Sequence, residues 1–163
     1  MMDKDRLSQT MERDDKRMYF EEFSLGQRFN STGRTLTEAE IIAFAHMYDP
    51  QTMHIDSEWA KTGPFEGIIA SGFQTLGIAW WLFLRLGLVS ESMFVGVGID
   101  HLRWTRPVRP GDTLSLSVTI KELGEVRSGR GLITFFHEIH NQRHEIVMSY
   151  TSLNLIHCKP PVS

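Results

Sequence analysis

The chain has 163 residues, 41% of them apolar, and a formal net charge of −3. That is enough for one domain that buries about two-thirds of its unfolded surface, and the near-balanced charge excludes the broad basic footprint of a nucleic-acid binder. The single cysteine, Cys158, has no partner for an internal disulfide, which fits a reducing, cytoplasmic setting.

Residues 1–18 mix charges of both signs with few large apolar groups and read as a mobile tail, where a signal peptide would need an apolar run. The domain is expected over 19–157, with 158–163 as a C-terminal tail. Phe20, Phe23 and Leu25 lead to Gly26, and a polar strand-like run goes from Phe29 to Leu36. Thr37 then opens a helix, because Thr37 and Glu40 form a capping box. Ile41, Ile42, Phe44, Ala45 and Tyr48 follow at helical spacing. Asp49-Pro50 closes it, since proline disfavours helical geometry in the residue before it. Asp56 or Ser57 is placed to cap a further turn, Ser57–Lys61, which Gly63 and Pro64 break.

From Ser71 to Leu88 nearly every residue is apolar, which predicts a helix buried on nearly every side. Its most apolar part, Gly77–Val89, is too short to span a bilayer and is interrupted by Arg85. Strands are expected around it. The stretch 95–123 turns at Arg109–Asp112 and then alternates, with Leu114, Leu116, Val118 and Ile120 on one face and Ser115, Ser117 and Thr119 on the other. Ser128–Gly131 turns the chain into a strand at Leu132–His140, and Asn141–Arg143 turns it into the last, Glu145–Leu155. The expected class is α+β, with a four-strand antiparallel meander plus an early strand near Phe29.

Within YDPQTMHIDSEWA (Tyr48–Ala60), Asp49 and His54 sit on a short irregular segment between helices. A carboxylate beside an imidazole suits general acid–base work and can hold a water between them. Taken alone, the stretch reads better as a helix stop followed by a polar loop. A second element shifts the balance. Gly67–Gly72 places small residues at the start of the buried helix, where free backbone N–H groups carry the positive end of the dipole and Gly72 allows close approach. A thioester carbonyl docked there would be polarised as it gains charge. The competing reading is that Ala70, Ser71 and Gly72 only permit tight helix–sheet packing.

Together, YDPQTMHID, GIIASGF (Gly67–Phe73) and RWTRPVRPGDTL (Arg103–Leu114) resemble the MaoC-like dehydratase family, the group of (R)-specific enoyl-CoA hydratases, over roughly 19–156. The resemblance implies a hot-dog fold, in which an antiparallel sheet wraps a long central helix and subunits pair into dimers. It maps the catalytic pair onto Asp49 and His54 and the carbonyl-polarising amide onto Gly72, with Ser71 beside it. The family segment reads G-D-x-N-P-x-H; here Tyr48 replaces the glycine, Gln51 the asparagine and Thr52 the proline. Gln51 keeps an amide that can orient the pair.

The implied reaction is reversible hydration of a trans-2-enoyl thioester carried by coenzyme A or acyl carrier protein. It needs no metal and no cofactor beyond the coenzyme A of the substrate. Arg103 and Arg106, with Arg109, are either solvated charges or contacts for the coenzyme A phosphates. A hot-dog thioesterase and a non-catalytic acyl-CoA-binding module are the rival readings.

Other groups rank lower. His137, His140 and His144 look metal-like, but in a strand 137 and 140 point to opposite faces, and a surface strand is the expected setting. Cys158 has no base nearby in sequence, and Ser71 lacks the G-x-S-x-G elbow of a hydrolase. Trp80 and Trp81 read as core or dimer interface, and Glu66 as a loop charge.

Overall fold

The computed structural model describes residues 17–161; most of the expected tail, 1–16, and the end of the C-terminal one, 162–163, lie outside the described residues. A 3-10 turn at Phe20–Glu22 precedes β1 (Arg28–Asn30), β2 (Arg34–Thr35), α1 (Glu38–Tyr48), α2 (Thr52–Ile55), α3 (Ser57–Thr62), α4 (Gly72–Arg85), β3 (Met93–Trp104), β4 (Thr113–Arg127), β5 (Arg130–His140) and β6 (Ile146–His157). The sheet runs β1-β4-β5-β6-β3, antiparallel throughout, with β2 paired to β4. It wraps α4, giving the α+β hot-dog fold.

Local sequence explains most boundaries. Thr37 accepts from the Glu40 amide while Glu40 reaches back to the Thr37 amide, which completes the capping box. Asp56 accepts from the Glu58 and Trp59 amides and starts α3. Ser128 and Gly129 both take positive φ, 51° and 71°, between the paired Arg127 and Arg130. A two-residue turn of that kind matches the strand twist and fixes the β4–β5 register.

The meander is real only for β4, β5 and β6. β3 does not pair with β4; it lies at the far edge, against β6. Periodicity specifies strands but not neighbours, and residues 105–112 cross over to the other side of the sheet. This crossover is held by Thr105 and Arg106 amides donating to Val147 O, by Ala70 N donating to Val108 O, and by Gly111 N donating to Leu36 O.

The core lies between the inner face of α4 (Ile78, Ala79, Leu82, Phe83) and the alternate residues of β4, β5 and β6. Phe83 meets Phe135 edge-on at 5.1 Å. Contrary to expectation, α4 is not buried all round: Phe73, Gly77, Trp81 and Leu84 are exposed along one stripe. The apolar composition of that stripe is not explained by this chain's own core.

His137 also departs from expectation. It shares the inward parity of Ile133, Phe135 and Ile139 and is fully buried, not on a surface strand. Its ring stacks on Tyr150 at 4.3 Å, its Nε2 lies 2.8 Å from Ser152 Oγ, and burial pushes its pKa down to about 3. His140 faces the other side of the strand and His144 is exposed in the following turn. Among the described residues no helix is long and apolar enough to cross a membrane.

Candidate active site

α1 ends at Asp49, whose amide still donates to Ala45 O while its backbone leaves the helical region. Two tight turns follow, with Gln51 N donating to Asp49 O (2.7 Å) and His54 N to Gln51 O (2.9 Å). They fold the chain back so that α2 presents His54 to the Asp49 carboxylate. The segment before α4 is stitched to α2 by Ile69 N donating to Met53 O, at 3.3 Å.

His54 is buried and its Nδ1 lies 2.7 Å from Ile69 O. A carbonyl only accepts, so Nδ1 carries a proton, and the neutral imidazole has its lone pair on Nε2. Nε2 faces Asp49 Oδ2 at 3.5 Å. Asp49 is itself gripped: Ser71 Oγ donates to Oδ2 at 2.6 Å and Gln51 Nε2 donates to Oδ1 at 2.8 Å. These bonds, that of Ser71 first, hold the Asp49 carboxyl below its usual pKa against the opposing effect of burial. The site thus sets the Nε2 of a buried imidazole against a carboxylate held in its ionised form.

Ser71 is the N-cap of α4 and accepts from Phe73 N at 3.2 Å, so one hydroxyl ties the helix start to the carboxylate. Gly72 is the first residue of α4, and its amide has no intrahelical acceptor. Asp49, Gln51, His54 and Gly72 all line one pocket of about 430 Å³. Arg106 lines it too and lies 3.8 Å from Glu145. Arg103 stands outside that lining, exposed, with its guanidinium donating to Leu102 O.

Sequence reasoning missed the aromatic part of the lining. Trp104, at the end of β3, and Phe73 line the same pocket and meet edge-on at 5.8 Å. Trp104 Nε1 donates to Gly72 O at 3.0 Å, and a β-carbon on Gly72 would fall 2.5 Å from the indole. Gly72 therefore lacks a side chain to admit this ring, a reason beyond ligand access. The one signal available in sequence was a tryptophan just before a Pro-rich crossover.

A hot-dog domain with an Asp–His pair beside the free tip of its central helix defines the class. The chain belongs to the MaoC-like family: the family model described as MaoC like domain matches residues 20–135. It is 35% identical over 126 residues to the uncharacterized protein YdeM of Bacillus subtilis, covering 77% of this chain and 89% of that protein. It is 30% identical to the (R)-specific enoyl-CoA hydratase of Rhodospirillum rubrum over 110 residues, 64% of this chain and 71% of the relative. The crystal structure of the MaoC-like dehydratase from Rhodospirillum rubrum superposes with a TM-score of 0.82 at 33% identity, over 88% of this chain and 99% of that one.

Proposed function

We propose that this chain is a hydro-lyase that reversibly adds water to a trans-2-enoyl thioester, giving a 3-hydroxyacyl thioester. The observation that supports it most directly is the 3.5 Å separation of Asp49 Oδ2 and His54 Nε2 in the pocket that Gly72, at the start of α4, also lines. Two acceptors at that spacing suit one water, which donates a proton to each and turns a lone pair toward the substrate. His54 Nε2 takes the proton as the water oxygen bonds to the β-carbon. The double-bond electrons move to the thioester oxygen, where the Gly72 amide and the helix dipole stabilise the enolate. The imidazolium, beside the ionised Asp49, then returns the proton to the α-carbon. The depressed Asp49 pKa suits a carboxylate that orients the water and steadies His54 rather than one that takes the proton.

Coenzyme A is the carrier we favour, with Arg106 at the pocket mouth as a phosphate or pantetheine contact. The active unit is a homodimer. β3 is an edge strand that exposes Phe94, Val95, Val97 and Ile99, and the exposed α4 stripe lies on the same chain. Such a surface is the kind that monomers avoid and interfaces use.

The deciding assay follows crotonyl-CoA by loss of enoyl absorbance and, in parallel, by thiol release. The hydratase reading expects the first without the second, with Asp49→Asn and His54→Ala both losing about 10³-fold in kcat. Thiol release would identify a thioesterase, and binding without turnover an acyl-CoA-binding module.

A further inference from the structure

Trp104 is 48% exposed, so burial alone gives little reason for a large indole at this position. Its contacts are nevertheless specific. Nε1 donates to Gly72 O, an oxygen that the α4 ladder already offers to the amide of Leu76 one turn on. The bond therefore satisfies no orphan acceptor; it fixes a direction. The Nε1 edge of the ring also closes on Gly72, since a β-carbon there would sit 2.5, 2.6 and 2.9 Å from Cε2, Nε1 and Cζ2 of Trp104. The indole is anchored in turn. It ends β3 opposite Met148, and the next two residues, Thr105 and Arg106, donate their amides to Val147 O. Thr105 Oγ1 adds a bond to Ile146 O at 2.7 Å.

On the other side, Ser71 binds Asp49 and the Phe73 amide. Gly72 is thus held between two clamps, one leading to the acid–base pair and one to β6. We infer that Trp104 is a positioning residue that aims the Gly72 amide into the pocket and closes the far side of Gly72 to substrate. The inference rests on the hydratase reading for its kinetic consequence but not for its geometry. A displacement of the amide by about 1 Å is enough to cost on the order of 100-fold in rate.

The test uses the full chain with Trp104→Phe, Trp104→Ala, Gly72→Ala and the Gly72→Ala/Trp104→Ala double variant. Wild-type turnover of crotonyl-CoA decides the hydratase reading by itself. Hydrogen exchange at the Phe73 and Thr75 amides, which bond to Ser71 and so report how firmly the start of α4 is held around Gly72, decides the positioning claim with or without turnover when read by NMR. Trp104→Phe keeps a ring and removes the Nε1 donor, so the fold is retained while exchange at Phe73 and Thr75 rises several-fold. Its kcat falls about tenfold with KM within about twofold, the signature of an effect confined to the transition state. Gly72→Ala alone loses about 100-fold or more, yet adds little in the Trp104→Ala background, where the clashing ring is gone. Unchanged exchange and kcat in both Trp104 variants, losses confined to KM, or fully additive effects of Gly72→Ala and Trp104→Ala would each overturn it.

Discussion

The Ser71 hydroxyl donates to Asp49 Oδ2 at 2.6 Å, 22 residues away in sequence, and accepts from Phe73 N in the same geometry. One side chain therefore caps a helix and sets the charge of a site carboxylate. Because this bond is the largest contribution to the lowered Asp49 pKa, its loss raises that pKa. Ser71→Ala should shift the acid limb of the kcat/KM profile to higher pH, with activity at pH 8 less affected than at pH 5. The folded-state pKa is the depressed one, so the linked stability is present above the unfolded carboxylate pKa and is lost as pH falls through the folded value. The missing cap costs about 1 kcal/mol besides. An acid limb that stays in place would exclude Ser71 from control of Asp49.

Gln51 holds the other carboxylate oxygen at 2.8 Å. Gln51→Ala should lower kcat roughly tenfold through loss of orientation, with a smaller pH shift than Ser71→Ala, since its bond ranks second. Gln51→Asn, which keeps the amide, should recover part of the loss. Equal pH shifts in the two alanine variants would contradict this ranking.

His137 is buried neutral, with a pKa near 3. The unfolded chain binds a proton near pH 6.5, so stability is complete above that pH and declines as pH falls toward 3. At pH 5 the loss is roughly 2 kcal/mol. Urea denaturation at pH 7.5 and pH 5 should show it, and His137→Gln should show a smaller difference between the two. An equal pH difference in the variant would place the sensitivity elsewhere.

Val97 and Ile99 stand exposed on the β3 edge. Val97→Lys/Ile99→Lys should convert a dimer to a monomer in light scattering, with helical and sheet content unchanged by circular dichroism. A wild type that is monomeric at micromolar concentration, or a dimer that survives both lysines, would remove β3 from the interface.

Much of this was legible because it is encoded locally. The Thr37–Glu40 capping box, the Asp49–Pro50 stop, the Asp56 cap and the alternation of Leu114 to Ile120 each need only neighbours a few residues apart. The Asp49–His54 pair was readable for the same reason, since five residues and two turns bring it together. What stayed hidden depends on partners distant in sequence. β-branched and aromatic residues mark β3 as a strand but cannot say that β6, not β4, lies beside it. Gly72 reads as open space for a ligand until the fold brings Trp104 onto it from 32 residues away. His137 was misplaced although its parity with Ile133, Phe135 and Ile139 was visible; a polar residue type outweighed the pattern.

The crossover at 105–112 has a consequence for where the protein can be cut. The stretch that matches the family model stops at residue 135, inside β5. The backbone that braces Trp104, Thr105 and Arg106 belongs to Ile146, Val147 and Met148, on the strand that comes after it. A fragment trimmed to the matched region would retain Asp49, His54 and Gly72 yet lose the buttress behind Trp104. The recognisable portion of the sequence is thus smaller than the unit that must fold to build the pocket.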